Sequence, residues 1–501
     1  MAELNGGTCA PGEYPVVILG SGPGGLQTGY SLAQAGVQAA IISSDEGPGG
    51  MFRRFPLFQR LITWTKIHAP AERGTRPYEW YDWNSLIGAD PSLRALVPQY
   101  MDGSSYFPAR SEMETGLVEF QSRAKIPIRY GCTWESTRRD GDGFVVTTSD
   151  GEFRCRVLVV AVGMTEPWKP ATIPGIEDVP HYVETKPLPE YAGARVLVVG
   201  KRNSGFEVAD ALLPWARQIV LASPRPARIS VLVHSTAAAR ARYLQPYEDH
   251  VLGGGNIVLD AATERIDRTP DGRFRTQLKG TTRPGDFVLE TDEVIAATGF
   301  GTPLRDLADV GVKTFYQGRL PAQTPFWESA SAPGIYFAGS ITQGSIGLKK
   351  YGIPSNSAAV HGFRYNAMVM ARHIAETHFG VERDRPVVKP DEVVGFLLAE
   401  ATRAPELWNQ QSYLARVLTF AEGDDIRDEG IRPLAHFVDT EGPDGIAMAV
   451  ETDAEGDIHP AVYIRRGQKV EEHTLASSPM LQFETAEHVA QLTSLLKSMT
   501  G

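Results

Sequence analysis

The stretch from residue 14 to residue 25 constrains the fold of this chain more than any other part of the sequence. Apolar residues at 16–19 lead directly into Gly20, Gly22 and Gly25, and an apolar helical pattern follows. A strand, a tight turn and a helix in this order are typical of dinucleotide binding, because glycines let the backbone approach a pyrophosphate that rests on the helix N-terminus. A glycine-rich turn that binds nothing is the alternative. The candidate nucleotide contacts are Gly20, Gly22, Pro23, Gly24 and Gly25.

The second predicted strand, at residues 37–42, ends where an acidic residue commonly binds a ribose. Ser43 stands at this point and Asp45 follows closely, so we expect both to contribute to the ribose contact. The next loop, at residues 51–70, is rich in aromatic and basic side chains, and Phe52 is its candidate contact with a large planar cofactor. The alternative for this loop is a surface segment that only covers a core.

The strand–turn–helix unit occurs a second time near the middle of the chain. A predicted strand at residues 195–199, apolar from 196 onward, ends at Gly200, and Asn203 and Ser204 precede the following helix. The middle glycine of the motif is replaced by Arg202, whose side chain either blocks the nucleotide or holds its phosphate by charge. Two such units predict two bound dinucleotides, and the alternative is a second unit that is kept only for architecture.

The residues after the next predicted strand indicate which nicotinamide nucleotide the second unit binds. This strand, at residues 218–222, ends in Ser223, and Arg225 and Arg228 follow where an acid would bind a free 2′-hydroxyl. Arginines at this point suit a 2′-phosphate. The sequence therefore predicts NADPH in preference to NADH.

Further glycine turns follow apolar runs later in the chain. Gly163 ends one run, Thr298 and Gly299 end a second, and Gly339 and Ser340 end a third. Each of these turns is a candidate cofactor contact.

The composition is that of a globular protein, since 42% of the 501 residues are apolar and 22% are charged. The net charge of −11 argues against general nucleic-acid binding, which needs a basic surface. No apolar run approaches the ~20 residues of a membrane helix, and residues 1–13 lack a signal-peptide pattern, so we expect a cytoplasmic protein. Cys9, Cys132 and Cys155 show neither a C-x-x-C pair nor a metal-ligand spacing, which predicts reduced thiols and no metal site.

Together these turns resemble the flavoproteins with two dinucleotide-binding domains. The resemblance implies that the turn at Gly20 holds FAD and that the turn at Gly200 holds NAD(P)H. Where this superfamily commonly has Gly-Asp at its last FAD contact, the chain has Gly339 and Ser340. Within the superfamily, the chain is most similar to FAD-dependent oxidoreductase domain-containing proteins related to the ER-associated-degradation flavoprotein. This similarity is carried by residues 25–30, 60–66, 82–86, 106–108, 203–204, 206–207 and 361–365, together with the region 408–421.

The expected fold is α/β, with two Rossmann-like dinucleotide-binding domains and a C-terminal α+β domain. We expect the FAD domain at residues 1–190 and 301–385, the NAD(P)H domain at 191–300 and the C-terminal domain at 386–501. The C-terminal domain is expected to act as a substrate cap or an interface, including one that forms a homo-oligomer. Its predicted elements are helices at 391–401, 408–420 and 484–499 and strands at 446–452 and 461–466.

The resemblance leaves several reactions open. A disulfide reductase needs a redox cysteine pair, and the sequence has no closely spaced pair. Residues 292–300 resemble the D-x-x-x-x-A-T-G-Y/F signature of N-hydroxylating monooxygenases, which predicts transfer of one oxygen atom of O2 to a small-molecule substrate through a flavin C4a-hydroperoxide. Two alternatives are an oxidase or dehydrogenase with a non-functional nicotinamide site, and a flavin-binding sensor or partner protein.

Four side chains are the candidates for catalysis. Trp64 and Lys66 are predicted to line the flavin, with Lys66 near its N5 atom or a peroxide. A helix is predicted to start near residues 355–357 and to face the flavin with its N-terminus. His361 and Arg364 on this helix are the other candidates, and the alternative is that both are structural. A nearby basic loop is a candidate site for an anionic substrate, with a solvated surface as the alternative. It contains Lys349, Lys350 and Tyr351.

Overall fold

The structure is a computed structural model that describes residues 8–55, 57, 59–226, 256–345, 355–420 and 425–500. The chain forms two compact units. The first comprises residues 1–50, 63–163 and 303–501, and the second comprises residues 51–62 and 164–302. Some predicted residues lie outside the described ones, so their roles stay predictions. They are Arg228, Lys349, Lys350 and Tyr351.

The strands and helices have the following bounds. The strands are β1 (Gly12–Leu19), β2 (Ala39–Ile42), β3 (Ile128–Arg129), β4 (Trp134–Asp140), β5 (Gly143–Thr148), β6 (Gly151–Val160), β7 (Glu166–Pro167), β8 (Arg195–Val199), β9 (Gln218–Ser223), β10 (Asn256–Arg268), β11 (Phe274–Gly280), β12 (Asp286–Thr291), β13 (Glu293–Ala296), β14 (Phe300–Gly301), β15 (Thr314–Phe315), β16 (Leu320–Pro321), β17 (Ile335–Phe337), β18 (Val387–Val388), β19 (Leu414–Phe420), β20 (Ile426–Pro433), β21 (Gly445–Thr452), β22 (Ile458–Arg466) and β23 (Lys469–Thr474). The helices are α1 (Pro23–Gln34), α2 (Val97–Tyr100), α3 (Arg110–Arg123), α4 (Asn203–Leu212), α5 (Val360–Phe379), α6 (Val393–Arg403), α7 (Pro405–Asn409), α8 (Leu434–Asp439) and α9 (Ala486–Thr500).

The first unit is built around a sheet with a parallel, Rossmann-like core. The parallel strands have the order β3-β2-β1-β6, and β17 also pairs with β6 in parallel. The strands β5 and β4 extend this sheet from β6 as an antiparallel meander. Because β1 and β6 are covered on both faces, their apolar runs are fully buried, as parallel strands require.

The second unit repeats this plan. Its parallel strands have the order β10-β9-β8-β13, and β11 and β12 continue from β10 as an antiparallel meander. The strand β8 leads into α4 as β1 leads into α1. Both predicted strand–turn–helix units are therefore confirmed.

The C-terminal part contains its own antiparallel sheet, in the order β18-β20-β19-β21-β22-β23, with α6, α7, α8 and α9 around it. This confirms the predicted α+β class of the C-terminal part. The sheet belongs to the first compact unit. None of the helices in the described ranges is long and apolar enough to cross a membrane.

Two predicted elements were wrong in detail. Residues 408–420 were predicted as a helix, but α7 ends at Asn409 and residues 414–420 form β19 between β20 and β21. A left-handed residue, Ser412 with φ of 59°, separates the two elements. The helix predicted to start near residues 355–357 begins at Val360, and Ala359 at its N-cap provides no side-chain cap.

Candidate flavin and nucleotide sites

The first glycine turn uses each of its glycines for a different purpose. Gly20 has φ of 109°, and a Cβ there would clash with the carbonyl oxygen of Ala161. A Cβ on Gly25 would overlap the carbonyl oxygen of Gly20, so this glycine permits close packing of α1 on β1. At Gly22 a Cβ would point into open space, with no atom within 4 Å. Gly22 thus leaves room beside the N-terminus of α1, and a pyrophosphate fits this arrangement.

Gly24 and Gly339 bring the first and the last predicted FAD turns together. A Cβ on Gly24 would overlap the backbone N and Cα of Gly339. Gly339 has φ of 77° and opens a short 3-10 helix, Gly339–Gly344, that contains Ser340. The predicted contacts at 20–25 and 339–340 therefore lie side by side in the first unit.

The residues after β2 and β6 complete this edge of the sheet. Ser43 is buried, and its Oγ accepts hydrogen bonds from the Ser21 hydroxyl at 2.8 Å and from the Asp45 N–H at 3.2 Å. The Asp45 side chain lies against Gly50. Gly163, with φ of 71°, follows β6. Ser43 is thus tied to the glycine turn, while its predicted ribose contact and that of Asp45 stay predictions.

Three aromatic side chains from different parts of the sequence pack together. We call this cluster the aromatic wall, and it consists of Trp64, Trp83 and His361. The rings of Trp64 and Trp83 lie 4.5 Å apart between centroids, and Trp83 stacks on His361 at 4.4 Å. The Nζ atom of Lys66 lies 5.0 Å from the Trp64 ring centroid. Three predicted catalytic residues are therefore brought together through Trp83, which was not among the predicted site residues.

His361 is a buried, neutral imidazole in the first turn of α5. Its side chain is 4% exposed, and neither ring nitrogen has a hydrogen-bond partner among the described residues. Burial, followed by the charge of Arg364, lowers the pKa of His361 to about 3. At pH 7 the ring therefore offers one donor and one acceptor without carrying charge.

The guanidinium of Arg364 forms hydrogen bonds with backbone groups of the protein. Its guanidinium is buried and donates hydrogen bonds to the backbone carbonyl oxygens of Asp82 at 2.9 Å, Ser85 at 2.8 Å and Glu79 at 3.3 Å. These bonds support the structural alternative for Arg364, because they hold the segment that carries Trp83.

The second glycine turn has the backbone of a nucleotide turn at its first and third positions. Gly200 has φ of 119°, and a Cβ there would clash with the carbonyl oxygen of Ala297. A Cβ on Gly205 would overlap the carbonyl oxygen of Gly200. Arg202, at the middle position, has φ of −107° and is exposed, so it fits without backbone strain. The backbone conformation at this position therefore does not require glycine.

The two basic side chains at this turn, Lys201 and Arg202, differ in whether they are free to bind a phosphate. Lys201 is buried and forms an ion pair with Asp260, and this bond holds the pKa of Asp260 below its usual value. Asn203 and Ser204 begin α4 and are half-buried. Lys201 is already paired, whereas Arg202 is an exposed cation that a phosphate at this turn would meet.

The remaining predicted contacts of the second unit lie at strand ends. Ser223 ends β9, and Arg225 is exposed two residues later. Thr298 donates a hydrogen bond to the carbonyl oxygen of Trp168 at 2.5 Å, and the Gly299 carbonyl oxygen lies 3.0 Å from Nε2 of His181. Phe52, which falls in the 51–62 segment of this unit, is 8% exposed. The predicted ligand contacts of these residues stay predictions.

The thiols of the chain lie in the core. All 3 cysteines are free and buried in the hydrophobic cluster around the first sheet. Burial raises the pKa of Cys9 and raises that of Cys155 to about 12. Because thiolates are the reactive form of cysteine, burial favours the unreactive form of these two thiols.

Residues 17–339 match the family described as pyridine nucleotide-disulphide oxidoreductases, and the match spans both glycine turns and the turn at Gly339. The chain belongs to this family. Membership confirms the prediction of an FAD-dependent oxidoreductase with a site for a pyridine nucleotide. The residues of the first glycine turn fit FAD. The expected two-dinucleotide flavoprotein fold is likewise confirmed.

Curated relatives carry several different names. The chain is 27% identical over 459 residues to FAD-dependent oxidoreductase domain-containing protein 2 of Mus musculus, across 83% of this chain and 65% of that protein. The chain thus spans less than two thirds of this relative. It is 26% identical to a ferredoxin–NADP reductase of Thermus thermophilus, across 65% of this chain and 84% of that protein. It is 29% identical to a probable indole-3-pyruvate monooxygenase of Arabidopsis thaliana, across 38% of this chain and 43% of that protein.

Among solved structures, the chain resembles the bacillithiol disulfide reductase of Staphylococcus aureus, with a TM-score of 0.55 and 16% identity. The match covers 72% of this chain and 98% of that structure. At this identity the likeness shows the fold alone.

Proposed function

We propose that this protein is an FAD-dependent monooxygenase that takes its electrons from NADPH. In the overall reaction NADPH supplies two electrons, one oxygen atom of O2 enters a small-molecule substrate, and the other oxygen atom leaves as water. FAD, when bound, supplies the chemistry that activates O2. The residues of the chain bind this cofactor, exclude water and orient the substrate.

The observation that carries this proposal is the aromatic wall with its neutral histidine. Trp64 and Trp83 are large apolar rings that pack on each other, and His361, stacked on Trp83, adds two hydrogen-bonding nitrogens without adding a charge. An apolar lining that keeps water away protects a reactive oxygen species until the substrate arrives. The buried thiols also argue against disulfide reduction by a dithiol of this chain. The relative named as a monooxygenase supports the same class of reaction.

A second candidate function is electron transfer from NADPH to a protein acceptor. The relative named ferredoxin–NADP reductase favours this candidate, because its match covers most of that protein's length. Such an enzyme would also need no redox cysteines of its own.

Labelled oxygen separates the two functions. The purified protein, saturated with FAD, is supplied with NADPH, ¹⁸O2 and a panel of primary amines, thioethers and 2-oxo acids. We expect a product that carries one ¹⁸O atom, together with NADPH consumption that exceeds H2O2 release. In a parallel reaction ferredoxin replaces the panel. Faster oxidation of the reduced flavin by ferredoxin than by O2 would refute the monooxygenase and support the reductase.

The proposed use of NADPH gives a prediction for Arg202. Replacing it with glycine (Arg202→Gly) removes the exposed cation at the second turn, so we expect binding of NADPH to weaken by about tenfold, the effect of losing one charge-assisted hydrogen bond of roughly 1.5 kcal/mol. The limiting rate of flavin reduction should stay unchanged. Anaerobic stopped-flow measurement of flavin bleaching at increasing NADPH concentration gives both quantities.

Arg217 provides the matched control for this variant. It is also an exposed arginine of the second unit, but it precedes β9, at the end opposite to the turn. Arg217→Gly should leave the NADPH dependence unchanged. Tighter NADPH binding in Arg202→Gly would show that the arginine blocks the site.

A further inference from the structure

A short polar segment of the C-terminal part, residues 409–413, is buried. Gln410 has no exposed surface, and the side chains of Asn409, Gln411 and Ser412 are at most 7% exposed. Burial of polar groups costs free energy unless they find hydrogen-bond partners. The partners of this segment therefore indicate its structural role.

The partners of Gln410 lie on α5 and just before it. Its Nε2 atom donates to Oδ1 of Asn366 at 2.6 Å and lies 3.2 Å from Oγ of Ser357. The backbone N–H of Asn356 donates to the carbonyl oxygen of Asn409 at 3.2 Å. The C-terminal segment therefore fixes both the turn before α5 and the first turns of this helix.

The chain of hydrogen bonds continues from Asn366 to the last FAD turn. The Asn366 amide donates to Oγ1 of Thr342 at 3.0 Å, and the Thr342 hydroxyl donates to the carbonyl oxygen of Gly339 at 2.7 Å. Gly339 in turn packs directly on Gly24 of the first glycine turn. Gln410, Asn366 and Thr342 are buried, as are Gly339 and Gly24. Hydrogen bonds in such a place are strong, and their loss is costly.

We propose that Gln410 is a positioning residue for FAD, which acts through Asn366 and Thr342 on the turn at Gly339. The C-terminal part would then complete the flavin site from within the first unit, beyond any function as a cap or interface. This inference rests on FAD binding and is independent of whether the protein is a monooxygenase.

Gln410→Met tests the proposal, because methionine has a similar shape and forms none of these bonds. We expect FAD to bind about tenfold more weakly, the result of losing buried hydrogen bonds, and the midpoint potential of the bound flavin to change. Titration of apoprotein with FAD and a redox titration of the holoprotein measure the two effects. A potential is informative because a loss of general stability alone does not move it.

Gln411→Met is the matched control. Gln411 is adjacent, of the same type and also buried, but its Oε1 accepts a hydrogen bond from Thr452 of β21 and it has no bond to α5. We expect wild-type FAD affinity and potential in this variant. Equal effects of the two variants, or an unchanged affinity and potential in Gln410→Met, would overturn the proposal.

Thr342→Val keeps the proposal testable if Gln410→Met does not fold. Valine matches threonine in shape and removes the hydroxyl group that joins Asn366 to Gly339 and also lies 3.1 Å from the carbonyl oxygen of Ser357. Weaker FAD binding in Thr342→Val supports the network, and wild-type binding together with wild-type potential refutes it.

Discussion

Gly24→Ala is expected to abolish tight FAD binding. The added methyl group would overlap the backbone of Gly339, and no flexible side chain at this contact can move aside. Overpacking of this kind costs about 1–3 kcal/mol, which at the upper end weakens binding roughly 100-fold if the two turns separate. The FAD content of the purified protein and calorimetric titration of the apoprotein with FAD measure the effect.

Gly395→Ala is the control for this substitution. Gly395 lies near the start of α6, as Gly24 lies near the start of α1, but a Cβ there would meet no atom within 4 Å. Alanine should leave FAD binding unchanged and stabilise the helix by up to about 1 kcal/mol. If Gly24→Ala purifies with a full complement of FAD and wild-type affinity, the contact between the two turns has no part in binding the cofactor.

The glycine turns were predictable from the sequence because their requirements are local. Gly20 and Gly200 need positive φ, and Gly25 needs the absence of a Cβ against a carbonyl only five residues away. Strand, turn and helix follow one another directly in the chain, so the local sequence pattern is enough to predict the conformation of the turn. The packing of Gly24 on Gly339 joins distant residues, and only a family resemblance connected them in advance.

The aromatic wall was only partly predictable. Trp64 and Lys66 were predicted together and His361 separately, and nothing local in the sequence places Trp83 between Trp64 and His361. Trp83 lies in a segment whose carbonyl groups, at Asp82 and Ser85, accept hydrogen bonds from the distant Arg364. An aromatic residue in a loop shows neither periodicity nor spacing that would distinguish a site from packing.

The wrong elements near α5 and β19 have a common cause. Ser357 is a good N-cap by type, but its hydroxyl bonds with Asn366 and Gln410 in place of the helix N-terminus. Residues 414–420 were predicted as part of a helix from their apolar residues, but they pair with a strand on each side, and this pairing decides their conformation. In both places tertiary hydrogen bonds override the local preference.

The buried guanidinium of Arg364 gives the prediction with the largest expected effect on stability. Arg364→Met should destabilise the protein by about 3–5 kcal/mol, because it leaves the carbonyl oxygens of Glu79, Asp82 and Ser85 without their donor in a buried place. The shift in the urea midpoint, measured with FAD present in excess, reports this loss. Arg364→Lys should recover little of it, since one ammonium group cannot reproduce the fork of the guanidinium.

Arg372 separates the loss of these bonds from the loss of an arginine on the same helix. It lies two turns further along α5 and is exposed, so Arg372→Met should change stability by no more than about 0.5 kcal/mol. The wall gives a second measurement. Because Arg364 anchors the segment of Trp83, we expect the fluorescence of the tryptophans to change in folded Arg364→Met but not in Arg372→Met. Wild-type stability in Arg364→Met would show that the carbonyl groups find other donors, and it would refute the structural role of Arg364.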